Sequence, residues 1–252
     1  MMEIVFDENE IRREIRNKAP GIYELRILMT DFYNTKLSAY FDRDDPDTVI
    51  NQMLHWRYPE NCCINWYLTS NPAKYYCVAR EQFNDLRKCR VMTQDDDIDH
   101  LSWLAFDIDA EHPAGTSATD NEKAAAKEQA QALYSFMNGS GFHNPEIVDS
   151  GNGYHLKYRI DLPNDKENRA YIESIFDLLH KQFPSIDQSI KNPSRILKLP
   201  GTMAMKGRNF TESMAEEWTA KKGRLFEARP YRPAYIIRDP GTEERTAADA
   251  EQ

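Results

Sequence analysis

One seven-residue stretch constrains this chain more than any other, Trp103-Leu104-Ala105-Phe106-Asp107-Ile108-Asp109. Side chains of a strand point alternately to its two faces, so Leu104, Phe106 and Ile108 pack on one side while Asp107 and Asp109 project together from the other. Two carboxylates therefore converge at a strand end. Hard cations such as Mg²⁺ take oxygen ligands, usually a few carboxylates plus substrate phosphates, and such a pair supplies them. An isolated Asp-x-Asp is more often a strand running out into a solvated acidic turn, so the surrounding sequence has to decide.

Two further segments bear on that decision. In Asp149-Ser150-Gly151-Asn152-Gly153-Tyr154-His155-Leu156-Lys157-Tyr158-Arg159, the side chains of Tyr154, Leu156, Tyr158 and Ile160 make one strand face. His155, Lys157 and Arg159 line the other. This cationic face suits the triphosphate of a nucleotide, with Ser150, Asn152 and the glycine-rich turn adding hydroxyl and backbone N–H donors. For the charges alone, an ordinary solvent-facing strand surface is the commoner reading. In residues 187–202, Asp187 is a candidate third metal ligand ahead of a short strand at 195–199. Taken singly, such an aspartate more often just marks a helix exit. Arg195 and Lys198 are three residues apart and cannot share a face of a regular strand, so both reach phosphates only if Arg195 lies in the entering turn or the strand is distorted.

Around these segments the pattern predicts strands at residues 22–28, 36–41, 62–69, 103–109, 146–149 and 154–161. The last two are joined by a hairpin at Ser150-Gly151-Asn152-Gly153. Helices are expected from Asp45-Pro46-Asp47 to about Arg57, from the capping-box spacing Thr119-Asp120-Asn121-Glu122 to about Met137, and over residues 165–183. Without strict β-α alternation, the order indicates an α+β architecture with mostly antiparallel sheets. Residues 1–19 read as a leader, 20–238 as the catalytic domain, and 239–252 as a disordered tail or linker to a further domain.

Composition narrows the setting. At 252 residues and 40% hydrophobic, the chain can bury a core as one large domain, and no run of about 18 apolar residues suggests a membrane span. The charged residues 3–14 do not resemble an export leader, and the four cysteines then read as reduced thiols, so the expected location is cytoplasmic. Neither Cys62-Cys63 nor Cys77 and Cys89 has a Cys-x₂-Cys spacing, which argues against zinc. A net charge of −9 argues against a protein that simply coats phosphates. Lysines and arginines concentrated in residues 191–232 still leave room for a local basic surface.

Taken together, Asp107-Ile108-Asp109, the run from Ser150 to His155, and Asp187 resemble the three motifs of the archaeo-eukaryotic primase superfamily. The resemblance is closest to the small prokaryotic primase-polymerases of plasmid, phage and CRISPR-associated proteins, and Asn192-Pro193-Ser194-Arg195-Ile196-Leu197-Lys198-Leu199-Pro200-Gly201-Thr202 is similar to the run that leaves the family's third motif. It implies an RRM-like catalytic module packed against an N-terminal α/β module, with the active site in the cleft between them. It further implies two Mg²⁺ or Mn²⁺ ions on Asp107, Asp109 and Asp187, His155 on the incoming triphosphate, and Arg195 and Lys198 assisting.

The expected activity is template-directed joining of dNTPs or NTPs, in primer synthesis and primer extension. The expected partners are single-stranded DNA template and primer, and either a helicase-like or template-binding domain or CRISPR adaptation proteins, with no membrane. Two rival readings are a replication-initiator nuclease, which needs paired histidines that His155 alone does not provide, and a catalytically inactive nucleic-acid-binding module.

Overall fold

The computed structural model describes residues 6–30, 35–57, 62–89 and 91–240. Its N-terminal elements are α1 (Glu8–Asn17), β1 (Ile22–Thr30), β2 (Lys36–Asp42), α2 (Asp47–Leu54), β3 (Cys63–Thr69) and β4 (Arg87–Lys88). They are followed by β5 (His100–Asp109), α3 (Asp120–Gly139), β6 (Glu146–Asp149), β7 (Gly153–Pro163) and α4 (Lys166–Gln182). The chain then runs through β8 (Ile196–Lys198), β9 (Met203–Ala204), α5 (Glu212–Lys222), β10 (Arg232–Pro233) and β11 (Tyr235–Arg238).

Two antiparallel sheets carry the fold. The first has the order β4-β2-β1-β3-β8, and the second β11-β6-β7-β5. Alternation in β5 and β7 sends Leu104, Phe106, Ile108, Leu156 and Tyr158 to one face of the second sheet, where they meet Leu133 of α3 and Phe176 and Leu179 of α4. The rings of Phe106 and Phe176 lie 5.1 Å apart. The expected capping box starts α3: the Thr119 hydroxyl accepts from the Glu122 amide, and the Glu122 carboxylate accepts from the Thr119 amide. A separate core joins the first sheet to α1 and α2 through Ile11, Ile15, Leu25, Phe41, Ile50, Trp66 and Leu68. The architecture is α+β with mostly antiparallel sheets, as the element order implies.

The two halves are interlaced. β8 lies after the second sheet in sequence yet pairs with β3 of the first, Tyr67 opposite Lys198 and Thr69 opposite Ile196. Asn71 ties the same seam, accepting at Oδ1 from the Ser102 and Trp103 amides and donating through Nδ2 to the Pro193 carbonyl.

Some expectations change in detail. The stretch read as a leader contains α1, whose Ile11 and Ile15 are buried in the first core, and its residues 1–5 lie outside the described residues. A scatter of charges in Glu8-Asn9-Glu10-Ile11-Arg12-Arg13-Glu14-Ile15 hid a helix with only two apolar anchors. Gly201, at φ +80°, lets α1 dock, because a Cβ there would sit 2.4 Å from the Asp7 carbonyl oxygen. α2 stops at Leu54, short of the expected Arg57, and α5 and β11 had no sequence expectation. Of the expected tail, Asp239 is held by Arg13, and residues 241–252 lie outside the described residues.

Candidate active site

β5 is the edge strand of its sheet, and its free side is where the third carboxylate arrives. The Asp187 amide donates to the Asp107 carbonyl at 3.1 Å, and Ile186 bridges Ile108. The aspartate that looked like a helix exit is thereby stitched to the strand carrying the other two. Asp187 caps the short 3₁₀ turn that follows, its carboxylate accepting from the Ser189 amide and hydroxyl, both at 2.8 Å.

Asp107 is the innermost of the three. Its Oδ1 is buried without a hydrogen-bond partner. Burial pushes its pKa well above the usual carboxylate range, and the charges of Asp109 and Asp187 push it further. Asp109 is about half exposed, with the Lys206 ammonium 3.7 Å from its Oδ2.

His155 stands across the strand pair from Asp107, in register with it, its Nε2 3.5 Å from the Asp107 Oδ1. Its Nδ1 is also buried without a partner, and burial followed by the nearby Lys157 charge lowers its pKa to about 3, so the ring is neutral. The hairpin before it presses against Asp109: a Cβ on Gly153 would lie 2.3 Å from the Ile108 carbonyl oxygen and 3.0 Å from the Asp109 carboxylate. Only glycine permits that approach.

Basic groups face these acids from the other half of the molecule. Arg195 lies in the turn entering β8, as its spacing from Lys198 required, and its Nη2 is 3.3 Å from the Asp187 carboxylate. Lys198 is buried without a carboxylate partner, its Nζ donating to the Met203 carbonyl at 2.6 Å and lying 3.3 Å from the Asn65 amide oxygen. Burial, then repulsion from Lys206, lowers its pKa to about 7.

Two residues here went unnoticed in the sequence. Lys206 follows β9 and lies in the basic stretch 191–232, which was its only signal. Tyr67 of β3 lies under the Lys198 ammonium, with burial and the charges of Asp107 and Asp109 pushing its pKa up to about 12. Nothing in its apolar strand marked it.

Four expected nucleotide contacts are placed otherwise. Ser150 and Asn152 hold the hairpin: the Ser150 hydroxyl accepts from the Gly153 amide, and the Asn152 side-chain oxygen accepts from the Ala118 amide. Lys157 is fully buried, donating to Glu14 at 2.7 Å and to Glu146. Arg159 stacks on Trp103 and donates to the Asn17 carbonyl near the end of α1. The polar face of β7 is therefore no phosphate track. Only its His155 end belongs to the site, because α1 covers the rest.

Among the described residues, no three His, Cys, Asp or Glu side chains stand close enough to form a ready-made metal centre. The donor chemistry nonetheless fits hard divalent cations. Asp107 keeps a buried carboxylate oxygen without a hydrogen-bond partner beside the charges of Asp109 and Asp187, an all-oxygen donor set of the kind such cations take. The cysteines are free thiols, and Cys63 donates to the Gly207 carbonyl. No described helix is long and apolar enough to cross a membrane.

Among solved structures, the archaeo-eukaryotic primase domain of the cyanophage S-2L primase-polymerase matches over 98% of this chain and 98% of its own, with a TM-score of 0.50 and 12% identity. Primase RepB′ matches over 94% of this chain and 57% of its own, with a TM-score of 0.47 and 9% identity. The catalytic domain of RepB′, solved in complex with initiator DNA, matches over 94% and 86%, with a TM-score of 0.48 and 9% identity. No protein-family model and no curated protein matches the sequence.

Proposed function

We propose, from the archaeo-eukaryotic primase fold of this chain and the chemistry of its cleft, that it is a template-directed nucleotidyltransferase of the primase-polymerase kind. It joins dNTPs or NTPs in primer synthesis and primer extension. The observation that carries this reading is Asp107, a buried carboxylate with an unpartnered oxygen, crowded by Asp109 and Asp187 and faced by Arg195 and Lys206. Acids on one wall, with Arg195 and Lys206 at 3.3 Å and 3.7 Å from them and Lys198 without a carboxylate, suit a cation together with a phosphate chain.

Asp107, Asp109 and Asp187 would hold two Mg²⁺ or Mn²⁺ ions, whose chemistry when bound is activation of the attacking 3′-hydroxyl and neutralisation of the leaving pyrophosphate. The neutral His155 ring offers an N–H to a phosphate oxygen without the cost of a buried charge. Lys198, Lys206 and Arg195 receive the rest of the triphosphate's charge. Aligning the reacting groups is the protein's main contribution.

The template is single-stranded DNA, gripped by few phosphate contacts because the net charge is −9. A helicase-like or template-binding domain, or CRISPR adaptation proteins, would add affinity by tethering. The test is primer synthesis and extension on single-stranded template, with dNTPs, NTPs or both, in Mg²⁺ and in Mn²⁺. Metal-dependent products from the parent and none from Asp107→Ala are expected. A parent that makes no product under any of these conditions overturns the reading and leaves a nucleic-acid-binding module.

A further inference from the structure

Behind His155 lies a second group of charges for which the proposed chemistry has no use. Glu14 of α1, Lys18 at its C-terminal cap, Glu146 of β6 and Lys157 of β7 are all buried, each at most 3% exposed. Lys157 donates to Glu14 at 2.7 Å and to Glu146, and Lys18 is 3.0 Å from Glu14. Asn17 donates to the other Glu146 oxygen at 2.7 Å, and the Lys157 ammonium sits 5.1 Å from the centre of the Trp103 ring. α1 is the only element in this group from the N-terminal half; the same buried side, through Ile11 and Ile15, packs with Leu68 of β3 and Leu199 just after β8. A rigid body therefore connects the strand bearing His155 to the strand entered through Arg195.

We infer that Lys157 is a positioning residue. Pinned between Glu14 and Glu146, it fixes α1 against β7 two residues from His155, and so sets the spacing between the His155 and Asp107 wall and the Arg195 and Lys198 wall of the cleft. The inference rests on the proposed function only for what the cleft does, and not for the clamp itself. Buried ion groups are poor sources of stability compared with apolar packing, and registry between two elements is their best-attested use. The geometry suits that use: Lys157 reaches a carboxylate on its neighbouring strand, which fixes its own place, and a carboxylate 143 residues away on α1, which fixes the helix.

The test uses three variants of the full chain. Neutralising the whole group, with Glu14→Gln, Lys18→Met, Glu146→Gln and Lys157→Met together, leaves no unpaired buried charge. This variant is expected to fold and to bind Mn²⁺ as the parent does, but to show kcat at least about 10-fold lower at saturating nucleotide. Lys157→Arg, which retains both carboxylate contacts, is expected to keep kcat within about 3-fold. Parent-like kcat in the neutral variant overturns the inference. Should that variant not fold, Glu146→Gln decides, because the amide still accepts from Lys157 and only weakens the clamp. Amide hydrogen exchange on it reads the clamp without turnover: strands β7 and β8 are expected to exchange at least about 10-fold faster than in the parent. Unchanged exchange on both strands overturns the clamp even if the chain proves to polymerise nothing, whereas an inactive parent with the expected exchange leaves the clamp standing and removes only the function.

Discussion

His155 and Lys157 are two residues apart on one strand, both buried, and both on the same face, yet they live in opposite electrostatic conditions. At Lys157 opposite charges meet in direct contact: two carboxylates share one ammonium and Lys18 serves Glu14 as well, which leaves only Glu14 Oε2 of this group without a hydrogen-bond partner. Burial opposes the Glu14 charge, but Lys157 and Lys18 outweigh it and hold that carboxyl below its usual range, while burial and Glu14 raise Glu146 to about 7. At His155 the matching is weaker: its Nδ1 and the Asp107 Oδ1 are buried without hydrogen-bond partners, and Asp187 and Asp109 meet Arg195 and Lys206 at 3.3 Å and 3.7 Å. Charge at the Lys157 end is paired at close contact, whereas charge at the His155 end is paired only at longer range. The same face of one strand shows both conditions because α1 covers one end of it and leaves the other open.

The largest expected effect tests the unsatisfied end. Asp107→Asn, Asp109→Asn and Asp187→Asn are each expected to lower nucleotide incorporation by about 10³-fold or more, since each removes a charge from a site that works by electrostatic stabilisation. Asp107→Asn is also expected to unfold at a temperature equal to or above the parent's, because it relieves like-charge repulsion. Thermal unfolding and a primer-extension assay on the same samples read both. A fully active variant breaks the assignment, and a strongly destabilised Asp107→Asn breaks the contrast with Lys157.

Removing one partner at the satisfied end should do the reverse. Lys157→Met leaves Glu14 and Glu146 buried without their shared cation and is expected to cost about 3–5 kcal/mol in folding stability. Denaturant titration measures the loss. A variant as stable as the parent would mean that the four charges are decorative.

Between these two lies His155. His155→Ala is expected to raise the nucleotide KM about 10-fold or more while changing the Kd for single-stranded template less than about 2-fold, because a single hydrogen-bond donor to phosphate is lost. Equal losses in both constants would move His155 from the triphosphate to the template.

Lys198 gives an effect no larger than this per pH unit, with a pH signature. With its folded pKa lowered to about 7 by burial and Lys206, against an ordinary lysine value of 10.5, the unfolded chain binds more protons between those two values. Stability from this group is complete above the unfolded pKa and is lost as pH falls through the folded one. The parent should therefore gain up to about 1.4 kcal/mol per pH unit relative to Lys198→Met between pH 8 and pH 10. Parallel stability curves for the two proteins would show that the lysine keeps its charge when buried.

The strands bearing the acids and His155 were legible because period-two alternation is local: seven consecutive residues suffice to say that Asp107 and Asp109 share one face and Phe106 the other. The hairpin and the α3 cap were legible for the same reason, since their signals lie within four residues. α1 was not read although Ile11 and Ile15 stand one turn apart on one face of an amphipathic helix, because two isoleucines among charges bury too little apolar surface to mark a helix until a sheet exists for them to pack on. Lys206 and Tyr67 escaped notice because their spacing along the chain says nothing about their distance from Asp109 and Asp107.

By itself the sequence determined which side chains share a strand face and which turns need glycine, since covalent geometry and sterics act over a few residues. It therefore selected Asp107, Asp109 and His155 as a group, and also placed Lys157 and Arg159 with them. Only the tertiary structure separated that group. Whether a charged side chain on a chosen face awaits a ligand or is already paired depends on what packs against it. For Lys157 the deciding carboxylate is Glu14, 143 residues away, brought there by α1. Coulomb energies depend on distance through space and on burial, and neither is a function of separation along the chain.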